Sequence, residues 1–231
     1  MRRRNRPACI GRLLFIVPTA EFIHRFIPGA LASAPTILTL HGTGGDENDL
    51  VPLARMVDGD SAILSVRGRV SEGGKARFFR RISEGVFDLD DLHAQTLALG
   101  RFVDAAAQQY RFNRARTVAL GYSNGANIAA SLMLSVPDAL AGAILLRPML
   151  PFEAASPPPL KGIPVLVSAG RNDPLVPVPL TEKLADVLRE RGARVTILWQ
   201  DTRHALSPNE LEQVTAWWRQ TFGAEEGMPG A

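Results

Sequence analysis

Cysteine is all but missing: of 231 residues only Cys9 carries a thiol. That excludes a disulfide framework and a Cys-based zinc site. Long hydrophobic runs are missing too, and no uncharged apolar stretch reaches the roughly 20 residues of a membrane-spanning helix. There is no G-x-G-x-x-G and no lysine at P-loop spacing, so a nucleotide's phosphates have no recognisable cradle. Internal repeats are absent, and Pro157-Pro158-Pro159 is the one low-complexity tract. The net charge of +3 hints at nucleic acid until it is located. Arg2, Arg3, Arg4, Arg6 and Arg12 put five positive charges and no acid into residues 1–12, so the rest of the chain carries −2. No basic stripe with interleaved aromatics lies on that remainder, which argues against nucleic acid as a partner. What is present is ordinary: 46% hydrophobic and 21% charged residues, typical of a globular domain with one core.

The N-terminal segment joins a basic start to an apolar stretch, residues 8–20, like the first two regions of a signal peptide. Arg12 and Pro18 interrupt the stretch, and Ala32-Ser33-Ala34 comes late and is followed by Pro35. Residues 1–20 are therefore expected to be a basic extension or to follow a start assigned too early, with an export signal left open. The expected location is cytoplasmic. The domain is expected over 21–222, with a flexible tail over 223–231.

From residue 21 onward, strand-like and helix-like patterns alternate. Strands are expected over 22–26, 36–40, 62–66, 117–120, 142–146, 163–167 and 195–199. Helices are expected over 49–57, 91–110, 124–135, 180–191 and 208–222. Residues 67–90 read as a long polar connection and 147–161 as a proline-rich loop. Such alternation implies an α/β fold, a mostly parallel sheet of about seven strands with helices on both faces. The two connections are too short for a large cap domain.

The strongest chemical signal is Gly121-Tyr122-Ser123-Asn124-Gly125, a G-x-S-x-G placed where an apolar strand stops and a helix starts. That context suits a nucleophile elbow, in which a tight turn projects the serine hydroxyl at the carboxyl edge of the sheet. A serine needs a base to take its proton. Of the four histidines, His24 reads as a packing or surface residue and His93 as solvated. His41 belongs to a glycine-rich stretch. His204 lies in the loop after the last strand, on the edge expected for Ser123. The orienting carboxylate is read as Asp173, in the turn after strand 163–167, with Asp201 as a local competitor. The order Ser123, Asp173, His204 is the one a hydrolase sheet demands. Leu40-His41-Gly42-Thr43-Gly44-Gly45 supplies small residues whose backbone N–H groups can face an oxyanion. The donors are read as the N–H groups of Thr43 and Asn124.

With HGTGGDENDL, GYSNGA, GRNDPLVP and a late His204, the chain resembles the α/β-hydrolase superfamily. Within it, the chain looks like the small bacterial carboxylesterases of the phospholipase/carboxylesterase family, relatives of the acyl-protein thioesterases. Arg77-Phe78-Phe79-Arg80-Arg81 and Glu84-Gly85-Val86-Phe87-Asp88 resemble the bacterial branch specifically. The likeness spans roughly residues 21–222. It implies a catalytic triad of Ser123, Asp173 and His204 and an oxyanion hole at Thr43 and Asn124. The thioesterase branch has a hydrophobic residue after His-Gly and a glutamine after the serine, so these two positions argue against carrying over protein deacylation. The expected function is hydrolysis of small soluble carboxylic esters through an acyl-enzyme, with no cofactor and no metal. A thioesterase, a lysophospholipase and a silent binding protein are the alternatives. The expected partner is a small ester, and a homodimer is left open. The substrate pocket is expected at Met149, Leu150, Leu175, Val176 and Arg80. Arg77, Arg80 and Arg81 are read either as surface residues in ion pairs with Glu84 and Asp88, or as supplying one arginine at the pocket rim that favours substrates bearing a carboxylate or another polar group.

Overall fold

The computed structural model describes residues 22–153 and 156–223. Seven strands form its central sheet: β1 (His24–Ile27), β2 (Thr36–Leu40), β3 (Ala62–Val66), β8 (Thr117–Tyr122), β9 (Gly142–Leu146), β10 (Pro164–Gly170) and β11 (Arg194–Gln200). Their order is β1-β3-β2-β8-β9-β10-β11, with β1 antiparallel to β3 and the other pairs parallel. The five inner strands are Val-, Ile- and Leu-rich runs buried on both faces, as expected of strands sandwiched between helices.

Alternation of side chains sorts each strand between two cores. Ile37, Ile63, Val118, Leu120, Ile144 and Leu166 face α1 (Val51–Val57) and α5 (Pro208–Phe222), where Leu53, Val214 and Trp218 cover them. Leu38, Leu64, Ala119, Leu145 and Val167 face α2 (Leu89–Tyr110), α3 (Asn124–Ser135) and α4 (Val178–Glu190). Two of the helices begin at side-chain caps. Asp88 accepts from the N–H of Asp91 to cap α2, and Ser207 and Glu210 form a capping box on α5.

Residues 67–90, the long polar connection, carry structure of their own. They form two small hairpins, β4 (Val70–Glu72) with β5 (Lys75–Arg77), and β6 (Arg81–Ser83) with β7 (Val86–Phe87). Phe78 and Phe79, between the hairpins, are fully buried and pin this arm to the core. No separate cap domain stands over the sheet among the described residues. The expected extension 1–20 lies outside the described residues, as does the tail beyond Gly223. Among the described residues no helix is long and apolar enough to cross a membrane.

The chain builds outward from β2 to β3 and then returns to β8 on β2's other side. Loops leaving the carboxyl ends of β2 and β8 therefore part in opposite directions and leave a crevice between them, the usual place for a ligand in an open α/β sheet. Leu40 lies beside Gly121 in the register, so the segments that follow them emerge side by side.

Candidate active site

Ser123 sits at the turn from β8 into α3 with φ 51° and ψ −112°, a conformation non-glycine residues rarely adopt. The turn is tight because its flanks lack side chains. A Cβ on Gly121 would stand 2.6 Å from the carbonyl oxygen of Gly125, and one on Gly125 would stand 1.9 Å from that of Leu40. Both obstacles are backbone. The Ser123 N–H donates to Leu146 at 2.8 Å, which ties the turn to β9.

His204 Nε2 lies 3.0 Å from Ser123 Oγ, and its Nδ1 lies 2.7 Å from Asp173 Oδ2. The other Asp173 oxygen accepts the N–H groups of Leu175 (2.8 Å) and Val176 (3.2 Å), which fixes the carboxylate's orientation. Asp173 is buried, whereas the side chain of Asp201 is 91% exposed and pairs loosely with Arg171 at 3.7 Å. The competitor is thus turned to solvent. His24 bonds Tyr110 and the carbonyl of Phe22 and packs on Phe102, and His93 lies exposed against Phe152. Neither approaches this cluster.

The loop of residues 42–45 turns on itself, Gly45 N–H donating to Gly42 at 3.1 Å, and is tied to β5 through Gly44 N–H and the Ala76 carbonyl at 2.8 Å. The N–H groups of Thr43 and Asn124 have no protein acceptor among the described residues. Both residues line a cleft of about 420 Å³ together with Ser123 and His204. His41 holds the loop from below. Its Nε2 accepts the Gly68 N–H at 2.9 Å, so the proton sits on Nδ1, 2.6 Å from the Gly42 carbonyl. Burial lowers its pKa below the ordinary imidazole value and keeps it neutral. The Asn124 side chain accepts the Phe78 N–H at 2.7 Å and so ties the Ser123 turn to the hairpin arm.

One wall of the cleft is apolar: Met149, Leu175 and Val176. The opposite wall is the hairpin arm, with Lys75, Arg77, Arg81, Glu84 and Phe87. Two expected pocket residues lie elsewhere. Leu150 packs against the hydrophobic core. Arg80 pairs with Asp88 at 2.9 Å, is 61% exposed and does not line the cleft. Its neighbours Arg77 and Arg81 face the cleft.

Sequence reasoning also missed the device that holds His204. Arg147, at the end of β9 with φ 57°, is fully buried against fully buried Glu210. Its guanidinium bonds both Glu210 oxygens (2.6 and 2.8 Å), and it donates to the carbonyls of Arg203 (3.3 Å) and Ala205 (2.8 Å) on either side of His204. Ser168 and Thr202 complete the network. A charged residue ending the buried run Gly142–Leu146, and the capping-box glutamate of α5, were the available signals. Tyr122 adds a hydrogen bond to the His204 carbonyl at 3.1 Å.

Known proteins resemble this chain in sequence and in fold. The family model for phospholipase/carboxylesterase matches residues 85–221. The hydrolase MhqD of Bacillus subtilis strain 168 is 48% identical over 186 residues, covering 80% of this chain and 93% of that protein. The crystal structure of the Bacillus cereus carboxylesterase is 45% identical with a TM-score of 0.86, covering 87% of this chain and 95% of that one. A carboxylesterase from Mesorhizobium loti is 33% identical with a TM-score of 0.78, covering 85% and 93% of the two chains. The chain is accordingly a hydrolase, and it belongs to the phospholipase/carboxylesterase family of α/β hydrolases.

Proposed function

We propose that the protein hydrolyses small carboxylic esters with Ser123 as nucleophile, His204 as general acid and base, and Asp173 as the group that orients it. The observation that carries this reading is the unbroken chain of hydrogen bonds from Asp173 through His204 to Ser123. Asp173 accepts a hydrogen bond from Nδ1–H, which leaves Nε2 free to take the proton of Ser123 Oγ as that oxygen attacks the ester carbonyl. The N–H groups of Thr43 and Asn124 stabilise the oxyanion that forms, a contribution of roughly 10²–10³ in rate for each such donor. The intermediate collapses, His204 protonates the departing alcohol, and an acyl group remains on Ser123. Water then attacks the acyl carbonyl, its proton passing to His204; the bond from the acyl carbon to Ser123 Oγ breaks, His204 returns the proton to Oγ, and the acid leaves.

The substrate's size follows from the cleft. Its apolar wall is short, and the hairpin arm borders it without roofing it. A buried methylene contributes about 0.8 kcal/mol only while there is wall to cover it. Esters of acetate to hexanoate are therefore the substrates that fit, and no interfacial activation is expected.

A fluorophosphonate probe tests the mechanism. It should label the wild-type protein on Ser123, and Ser123→Ala should abolish labelling and lower kcat by about 10⁴–10⁶-fold with the circular dichroism unchanged. Full labelling or hydrolysis in Ser123→Ala would remove Ser123 from the reaction.

A further inference from the structure

We propose that the cleft selects esters that carry an anionic group, a carboxylate in first place, held by the arginine and lysine side chains of the hairpin arm. The inference rests on the esterase reading and names its substrate class. Lys75, Arg77 and Arg81 all face the cleft that holds Ser123. Glu84 lines the same cleft, and Glu72 lies between the arginines, 3.1 Å from Arg77 Nε and 2.8 Å from Arg81 Nε. One carboxylate thus serves two guanidinium groups, and the wall keeps a net positive charge. Residues 13–231 as a whole carry −2, so this patch runs against the charge of the body around it.

Arg77 is the informative member. Only 4% of it is exposed, and it donates to the Thr43 hydroxyl at 2.8 Å and the Phe79 carbonyl at 3.2 Å. Its Nη2 has no protein hydrogen-bond partner among the described residues. Desolvation lowers its pKa, the sign that burial costs this cation more than its neighbours return. A guanidinium retained in that position beside the oxyanion loop is suited to a ligand anion, which it binds through paired N–H groups. Lys75 lies across the same loop, its stem 3.7 Å from where a Cβ on Gly44 would stand, and has no carboxylate within ion-pair distance among the described residues. The opposite wall, Met149, Leu175 and Val176, offers a place for the apolar part of the molecule. The reaction is the ester hydrolysis already described, and the anion takes no part in bond making.

Two matched pairs locate the charge. The mono-4-nitrophenyl ester of adipic acid against 4-nitrophenyl hexanoate places a carboxylate on the acyl half at equal chain length. The butyrate of 4-hydroxybenzoic acid against that of 4-hydroxybenzamide places it on the leaving half. The measured quantity is the anionic-to-neutral ratio of kcat/KM within a pair, corrected for spontaneous hydrolysis. In Arg81→Gln, Lys75→Gln and their double variant, that ratio should fall in at least one pair, about 5-fold for each charge removed at low salt and less at 0.5 M salt, where the Debye length is a few ångströms. Fluorophosphonate labelling at the wild-type rate certifies the active site of each variant. Ratios unchanged in both pairs, in variants that still label, overturn the anion-binding inference and leave the esterase reading standing. Failure of the wild type to label or to hydrolyse any of the four esters overturns both.

Discussion

Ser123, Asp173 and His204 come from three separate turns: Asp173 is held by its neighbours in sequence, whereas Ser123 is tied to Leu146 and the His204 loop to Tyr122 and Arg147. Asp173 has two backbone donors within three residues, whereas Asp201 stands in solvent. Replacing Asp173 by Asn should therefore lower kcat by about 10⁴-fold through the wrong imidazole tautomer. Asp201→Asn should stay within a few-fold of wild type, and a larger loss there than in Asp173→Asn would reverse the assignment. His41 gives a second expectation, on stability. It is buried and neutral in the fold, with its pKa lowered chiefly by desolvation. The unfolded chain binds a proton at His41 below about 6.5. The folded protein resists that proton, so its stability is full above this pH and falls as the pH drops toward the lowered value. Urea unfolding between pH 7.5 and 5.5 should show this loss. The slope should flatten in His41→Gln, which keeps an acceptor near Nε2 but has no titrating group. An unchanged slope would show that other groups control the acid side. The motif residues were legible because each is defined by a few adjacent letters. The retention of His41 beneath the oxyanion loop was not, since its partner Gly68 is 27 positions away.

At the scale of elements, two segments that the sequence presents as loops are built structures. The segment 67–90 reads as polar because Arg and Gly are its commonest residues, yet two phenylalanines anchor it and its backbone bonds α3 through Asn124. The loop 201–207 carries His204 and hangs on Arg147, which also stands against Glu210 at the start of α5. Removing one member of a buried pair strands the other, at a cost of about 3–5 kcal/mol. Arg147→Met should thus lower the stability measured by denaturant by that order. Adding Glu210→Leu should recover much of the stability by removing the stranded charge. It should not recover kcat, because the carbonyls of Arg203 and Ala205 still lack their donor and His204 is no longer held. Recovery of both together would reduce Arg147 to a purely structural role.

For the whole molecule, the sheet's crossover places the cleft at the carboxyl ends of β2 and β8, and its open, short wall limits what can be bound. Across 4-nitrophenyl esters from two to sixteen carbons, kcat/KM should rise over the first few carbons, peak by about six, and fall, since each further methylene has no wall on which to gain its roughly 0.8 kcal/mol. A maximum at twelve carbons or beyond would favour a lysophospholipase or protein deacylase. The α/β class, the seven central strands along the chain, the helices between them and the chain order of Ser123, Asp173 and His204 are all written in local patterns: period-two and buried runs, helix-like stretches between them, and glycines where a Cβ meets backbone. Those patterns act over a few residues, so the amino-acid sequence by itself determined them. Only the tertiary structure decided that Arg77 and Arg81 face the cleft while Arg80 turns away, that Leu150 belongs to the core, and that Arg147 holds a histidine 57 positions later. In each of these the outcome depends on which distant backbone a side chain meets, and three arginines within five positions are alike until the chain has folded around them.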